Sequence, residues 1–401
     1  MIKSLVYISS NIRGNIAISG SKSESNRLLI LQKNYPNLEL KNLSNSDDTK
    51  HLQEALVSNS NLIDIGHAGT AMRFLTAYFS ATTGKEVVLT GSSRMQNRPI
   101  KILVDALRSL DAEIQYVDKE GYPPLRIKGK KLTKNKVSIN GNVSSQYISA
   151  LLLMASTLEN GLVLELLGKV TSVPYIKMTL ALLNDLGIET NWKENIIKIN
   201  PKREVENKIL TVESDWSSAS YFYSLVALSK GGKVKLSSYK KDSLQGDNSL
   251  IETYKHFGVK TAFEKDAITL TKTDVELKHL MLNLVNSPDL AQTIAVTCFG
   301  LGITCDLTGL HTLKIKETDR LVALKNELEK LGAQVEIKNE SLHLKASKKI
   351  NSNITIKTYD DHRMAMAFAP LALKTVINIE DAEVVTKSFT SFWEDFESVF
   401  S

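Results

Sequence analysis

The chain has 401 residues, enough for two or three domains with sizeable cores. With 42% hydrophobic and 23% charged residues, its composition excludes a disordered or fibrous protein. The net charge of +6 is modest, and the densest basic cluster (Lys128, Lys130, Lys131, Lys134, Lys136) has no interleaved aromatics, so it reads as a solvated hairpin rather than a nucleic-acid site. The longest apolar stretches, such as 150–155, are far too short to span a membrane. The first eight residues lack the apolar core of a signal peptide. Cys298 and Cys305 are too few for a disulfide framework and too far from any His pair to suggest zinc, so a cytoplasmic chain without metal is expected.

In chain order, the first predicted helix opens at 19–27 (Ser-Gly-Ser-Lys-Ser-Glu-Ser-Asn-Arg) and runs into the apolar 28–31. Hydroxyls and free backbone N–H groups at a helix start form an anion site, to which Lys22 and Arg27 add full charge. A plain serine cap with solvent-facing Lys22 and Arg27 is the alternative. At 66–73, Gly-His-Ala-Gly-Thr-Ala-Met-Arg puts two glycines before a helix, where an anion can approach the backbone, with Arg73 one turn inside. The Lys and glycine spacings of a Walker loop or a dinucleotide fingerprint are absent. Arg94 and Arg98, beside Pro99, predict a loop that presents guanidinium groups to carboxylate or phosphate, or else an ordinary surface loop.

Further along, Asn-Val-Ser-Ser-Gln-Tyr at 142–147 places hydroxyls and an amide before the apolar helix 148–154. The run 314–320 (Lys-Ile-Lys-Glu-Thr-Asp-Arg) leads into Leu321, Leu324, Leu328 and Leu331, the spacing of an amphipathic helix. It puts Glu317 and Arg320 on one face at the helix start, for a ligand or as a surface ion pair. Asp-Asp-His-Arg-Met-Ala-Met at 360–366 opens another helix with His362 and Arg363, its methionines reading as core. Lys22, Arg27, Arg73, Arg94, Arg98, Lys316, Arg320 and Arg363 thus stand at helix starts or loop ends, which suggests a cleft gathering several anionic groups.

A repeat underlies these motifs. Gly84, Gly161, Gly232 and Gly302, spaced 77, 71 and 70 residues apart, each follow a helix-like stretch and open a short strand. After each, at 25 to 29 residues, a helix ends at Leu110, Leu186, Phe257 or Leu331, and two strands follow. A glycine follows that residue in three of the copies, as a left-handed helix cap requires. The period exceeds that of solenoid units and predicts five to six α/β modules, the first and last poorly visible.

Jointly, Ser-Lys-Ser-x-Ser-Asn-Arg, Ala-Gly-Thr-Ala-Met-Arg, Ser-Ser-Gln, Lys-Glu-Thr-Asp-Arg and Asp-His-Arg-Met-Ala-Met resemble the enolpyruvyl transferases, and among them the 5-enolpyruvylshikimate-3-phosphate synthases. The resemblance runs from Gly20 to Lys387. It implies an α/β fold of two similar domains, each of three βαβαββ units arranged as an inside-out α/β barrel. The N-terminal domain would span 20–212, and the C-terminal domain would join 1–19 to 213–401. The implied activity moves the enolpyruvyl group of phosphoenolpyruvate to the 5-hydroxyl of shikimate 3-phosphate, releasing phosphate, on the route to chorismate and the aromatic amino acids. The expected partners are these two small molecules alone, on a cytoplasmic monomer with no cofactor, no nucleic acid and no membrane. The family's inhibitor, glyphosate, would occupy the phosphoenolpyruvate site.

Carried over by motif, the resemblance implies that Ser23, Arg27, Ser144, Ser145, Gln146, Ser172, Tyr175, Asp289 and Lys316 hold shikimate 3-phosphate. It implies Lys22, Gly69, Arg94, Gln146, Glu317, Arg320, His362, Arg363 and Lys387 for phosphoenolpyruvate. Both substrates carry a phosphate and a carboxylate, which accounts physically for the cations. Asp289 is implied as acceptor of the hydroxyl proton and Glu317 as donor to the methylene carbon, with Lys22 assisting. The chain departs from the family at His67 and Thr312, where Asn is frequent, and at Phe74, which replaces a frequent Pro after the motif arginine and is expected to shift the helix start. A sister enzyme that uses a UDP-sugar carries a loop Cys near Arg94, and 91–100 contains none. A non-catalytic anion-binding protein on this scaffold would dispense with Asp289 or Glu317, and both are present.

Overall fold

A computed structural model describes residues 1–8, 11–316, 318–347 and 349–400. The chain divides into two compact units, Ser21–Val212 and the pairing of Met1–Gly20 with Glu213–Ser401.

The Ser21–Val212 unit carries two sheets of four strands. In the first, Leu62–Asp64 runs parallel to Glu86–Thr90, and the hairpin of Glu113–Tyr116 and Leu125–Lys128 joins through its second strand. The second sheet repeats this order with Lys136–Asn140, Leu162–Leu167, Ile196–Ile199 and Thr190–Lys193. A parallel pair needs a crossover, and helices Gly69–Ala81 and Ser145–Ala155 supply it. A second helix, Lys101–Ser109 or Val173–Asp185, precedes each hairpin. A two-stranded remnant, Leu38–Lys41 parallel to Lys208–Thr211, accompanies helices Lys22–Asn34 and Asp47–Val57.

The other unit uses the same order twice. One sheet joins Ile12–Ile16, Gly232–Ser237, Ala267–Lys272 and Val259–Phe263, with helices Trp216–Leu228 and Leu250–Lys255. The next joins Leu280–Asn283, Cys305–Thr308, Leu342–Leu344 and Val335–Ile337, with helices Ala291–Leu301 and Arg320–Lys330. A three-stranded remnant joins Ile354–Ile356, Ile377–Ile379 and Lys3–Leu5, with helix His362–Phe368. Four full βαβαββ modules and two abbreviated ones therefore underlie the sequence repeat. At its second position the backbone is left-handed in every copy: φ is 69°, 73° and 98° at Gly187, Gly258 and Gly332, and Asp111 takes 79° where the glycine is missing.

Burial separates strands from helices. Leu162, Leu164 and Leu166 are buried while Val163 and Glu165 are only partly covered. Helix Trp216–Leu228, by contrast, is buried at every position, and Ser145–Ala155 at every position but Gln146. A helix buried around its whole circumference is an interior element, so these two helices lie in the middle of their units. Full burial of Phe222 and Leu225 stabilises by about 1.5–3 kcal/mol each, and Phe222→Ala would cost about 3–5 kcal/mol.

The basic cluster is not a hairpin. Leu125–Lys128 already has a neighbour on each side, so Lys136–Asn140 finds no free edge there and starts the next sheet. The cluster is a connector, and its lysines are solvated as expected. Lys128, Lys130 and Lys131 form exposed pairs with Glu113, Asp111 and Glu159 at 3.9, 3.1 and 3.0 Å, worth about 0–1 kcal/mol each. Among the described residues no helix is long and apolar enough to cross a membrane.

Candidate active site

In the Ser21–Val212 unit, polar side chains tie several helix N-termini together. Helix Lys22–Asn34 starts after Ser21, whose side chain makes no cap bond; its Oγ is buried without a hydrogen-bond partner among the described residues. The plain serine cap therefore fails. Lys22 Nζ lies 3.3 Å from Asp48 Oδ2, in the first turn of Asp47–Val57. Arg27 is only 2% exposed and does not face solvent. Its Nη1 donates to the Ser23 carbonyl at 2.7 Å, its Nε to Thr179 Oγ1 at 2.8 Å, and its Nη2 to Ser149 Oγ at 2.9 Å and the Tyr175 carbonyl at 3.4 Å. One guanidinium thus joins three helices through uncharged oxygens. Burial lowers its pKa to about 10, which leaves it charged at neutral pH.

Gly69 opens helix Gly69–Ala81, and a Cβ there would collide with the guanidinium tip of Arg98 and stand 3.0 Å from Arg73 Nη1. Arg73, 4% exposed, donates from Nη1 to the Gly69 carbonyl at 2.8 Å. Phe74 lies well inside the helix, so the missing proline does not move its start; the Phe74 ring instead lies 5.5 Å from the Arg27 guanidinium. The loop bearing Arg94 and Arg98 is held to the Gly66 turn by Ser92, whose N–H donates to the Gly66 carbonyl at 3.0 Å and whose Oγ lies 2.8 Å from His67 Nδ1. Arg94 is half-buried in the short helix Ser93–Gln96.

Ser144 caps helix Ser145–Ala155 by accepting from Gln146 N at 3.4 Å, and Gln146 Nε2 reaches Thr70 Oγ1 at 3.2 Å. Ser172, left-handed at φ 54°, precedes helix Val173–Asp185, with half-buried Tyr175 in its first turn. These contacts gather Lys22, Ser23, Arg27, Gly69, Ser144, Ser145, Gln146, Ser172 and Tyr175 around neighbouring helix starts. They also place Arg73 and Arg98 at Gly69, two cations that the motif transfer passed over.

In the other unit the centre is Asp289, in the turn Pro288–Leu290. Its Oδ1 lies 2.8 Å from Arg320 Nη1 and 3.5 Å from Lys316 Nζ, and its Oδ2 lies 3.1 Å from Arg363 Nη2. Three cations share one carboxylate. Arg320 is 2% exposed, so it is no surface ion pair; its Nε donates to Asp361 Oδ2 at 2.6 Å and its Nη2 to Asp361 Oδ1 at 3.3 Å. Asp361 also caps helix His362–Phe368 by accepting from Arg363 N at 3.0 Å. Burial works to lower the Arg363 pKa, but Asp289, Tyr221, Asp247 and Asp215 outweigh it and raise it.

The helix after Lys316 starts at Arg320, with Asp319 as its cap; Glu317 lies outside the described residues. His362 is buried beside Arg363, and Lys387 ends the turn Ala382–Lys387, which packs on that helix. Thr312 is half-buried in the turn His311–Ile315. Met364 and Met366 are core, as are Leu321, Leu324, Leu328 and Leu331.

Sequence reasoning missed Asp361 as the partner of Arg320, although an acidic residue just before a helix carrying two cations was a usable signal. It also missed Asp247, for which only contact in three dimensions gives a sign: burial, then nearby Asp289, push its carboxyl up to about 7.

The family model described as EPSP synthase (3-phosphoshikimate 1-carboxyvinyltransferase) matches residues 39–396. The 3-phosphoshikimate 1-carboxyvinyltransferase of Bacteroides fragilis is 45% identical over 396 residues, which cover 98% of this chain and 96% of the relative. That of Haemophilus influenzae is 37% identical over 428 residues, with 97% of each chain covered. Among solved structures, an EPSP synthase from Acinetobacter baumannii matches with a TM-score of 0.82 at 21% identity, over 99% of this chain and 98% of the other. That last likeness concerns the fold.

Proposed function

This chain belongs to the EPSP synthase family, and from that premise we infer that it transfers the enolpyruvyl group of phosphoenolpyruvate to the 5-hydroxyl of shikimate 3-phosphate, releasing phosphate, in the shikimate pathway. On this reading the two compact units are its two enolpyruvyl transferase domains. The observation that carries the site assignment is Asp289 with Lys316, Arg320 and Arg363 on its two oxygens, a carboxylate standing among cations suited to a substrate's phosphate and carboxylate.

The chemistry assigns a task to each group. Protonation of the methylene carbon by Glu317, with Lys22 assisting, gives the neighbouring carbon cationic character. The 5-hydroxyl attacks that carbon and loses its proton to Asp289. Phosphate then leaves with its bridging oxygen as the methyl group returns a proton, which restores the vinyl group. Arg94, Arg320, Arg363 and Lys387, with Gly69, Gln146 and His362, hold phosphoenolpyruvate. Ser23, Arg27, Ser144, Ser145, Gln146, Ser172, Tyr175 and Lys316 hold shikimate 3-phosphate.

The same cations rest on Asp289, so substrate anions compete with that carboxylate for them. Arg27 serves by shape as well as by charge, because four of its five N–H donors are already on protein oxygens. None of these steps calls for a cofactor, and we assign the activity to a cytoplasmic monomer. The test is phosphate release in the presence of both substrates. Release that needs shikimate 3-phosphate and ignores a UDP-sugar supports the assignment; release with the UDP-sugar instead transfers the chain to the sister activity.

A further inference from the structure

Asp247 belongs to none of the motifs the reaction uses, yet it is wired into the Asp289 cluster. It sits in the turn Gly246–Ser249 and is 4% exposed. Its two oxygens differ: Oδ2 accepts from the Ser217 hydroxyl, whereas Oδ1 is buried without a hydrogen-bond partner among the described residues. Ser217, at the start of helix Trp216–Leu228, also receives Arg363 Nη2 at 3.3 Å, and the same nitrogen lies 3.1 Å from Asp289 Oδ2. A guanidinium can only donate, so the serine proton is turned toward Asp247. The order Asp289, Arg363, Ser217, Asp247 is a continuous chain of hydrogen bonds from the base candidate to an orphaned carboxyl oxygen.

We propose that Asp247 is a positioning residue for Arg363, acting through the Ser217 hydroxyl, and that its unpartnered oxygen takes a proton from solvent when phosphoenolpyruvate docks on Arg363. This rests on the function proposed above. Among the described residues, the charged groups that act most on Asp247 are Asp289 from the turn Pro288–Leu290, Arg363, and Asp215 from the cap of helix Trp216–Leu228. Lys316 and Arg320 stand on the other oxygen of Asp289. Burial and then Asp289 favour its protonated form, while Arg363 opposes them, leaving it poised at about 7. An anion on Arg363 offsets the charge that favours ionised Asp247, so a proton binds. In the reverse sense, ionised Asp247 competes with the incoming anion for Arg363, and neutral Asp247 releases the guanidinium to it.

The test is the Michaelis constant for phosphoenolpyruvate against pH, at saturating shikimate 3-phosphate. In the unaltered protein it should rise about five- to thirtyfold between pH 6 and 8.5, as linkage to one proton requires. Asp247→Asn still accepts from Ser217 but stays neutral, so the two proteins' constants should agree at pH 6 and the unaltered protein's should exceed the variant's about five- to thirtyfold at pH 8.5. Ionisation of the substrate affects both proteins alike and cancels when they are compared at the same pH. A second measurement needs no variant: calorimetric titration with phosphoenolpyruvate at pH 7.5, in buffers of unlike ionisation enthalpy, should show uptake of about half a proton, the substrate's phosphate being already ionised there. Parallel pH profiles in the two proteins, or no proton uptake, overturn the proposal while turnover stands. An unaltered protein that does not turn over removes the underlying function, and this proposal with it.

Discussion

Replacing Asp289 by Asn pulls apart the two things its carboxylate does. It is bound by Arg320 at 2.8 Å, Arg363 at 3.1 Å and Lys316 at 3.5 Å, and an anionic substrate that uses those cations competes with it. Asn keeps the volume and one acceptor oxygen but loses the charge. A hydrogen bond to a charged group is worth about 1.5–3 kcal/mol net, so lifting one such competition should tighten phosphoenolpyruvate binding about tenfold. Turnover moves the other way, because the loss of a general base costs about 100- to 10,000-fold. Steady-state phosphate release gives the turnover number, and equilibrium binding with shikimate 3-phosphate present gives the affinity. Tighter binding with slower turnover is the expected signature. Near-normal turnover assigns the proton transfer elsewhere; binding that weakens tenfold means that Asp289 holds the cations in place for the substrate and does not compete with it.

Gly69→Ala drives a methyl group into the tip of Arg98, an overpacking that costs about 1–3 kcal/mol and falls toward the lower figure because a side-chain end can swing away. Phosphoenolpyruvate should weaken about fivefold to thirtyfold, and longer glyphosate more; in an Arg98→Ala background most of the loss should disappear, and an undiminished loss there would clear Arg98 of the effect. Asp361→Asn keeps the helix cap but takes from buried Arg320 the carboxylate that holds two of its nitrogens, so about 2–4 kcal/mol of stability should go, read as a lower denaturant midpoint; an unchanged midpoint refutes it. Asp247 has a folded pKa of about 7 against an ordinary 3.8, so the stability its bound proton confers is present below about pH 4 and lost as the pH climbs to 7. Asp247→Asn should therefore gain on the unaltered protein over that window, by on the order of 4 kcal/mol, and parallel stability curves would contradict this.

The module pattern was legible because each copy repeats a local requirement. A helix must end in left-handed backbone before a hairpin turns back, and Gly187, Gly258 and Gly332 announce it. The abbreviated modules, Leu38–Lys41 with Lys208–Thr211 and the three strands around Ile377–Ile379, left little trace, since their strands are far apart in sequence. The basic connector misled for a related reason: alternation on either side of a turn looks like a hairpin, and only the sheet shows that Leu125–Lys128 has no open edge. Among the site candidates, helix-start chemistry pointed to Lys22, Gly69 and Arg363 from local residue types alone. What no local reading could supply was pairing over distance, such as Arg27 with Thr179, Arg320 with Asp361, or Ser217 with Asp247.

The most direct test of enolpyruvyl transfer follows one oxygen atom. Phosphoenolpyruvate labelled with heavy oxygen at the bridge between carbon and phosphorus is incubated with the protein and shikimate 3-phosphate, and the released phosphate is weighed by mass spectrometry. Breakage of the carbon–oxygen bond sends the label into phosphate, the result expected here. Phosphate without label, with the heavy atom left in pyruvate, would mean that the phosphorus–oxygen bond breaks and that this chain moves or hydrolyses a phosphoryl group instead.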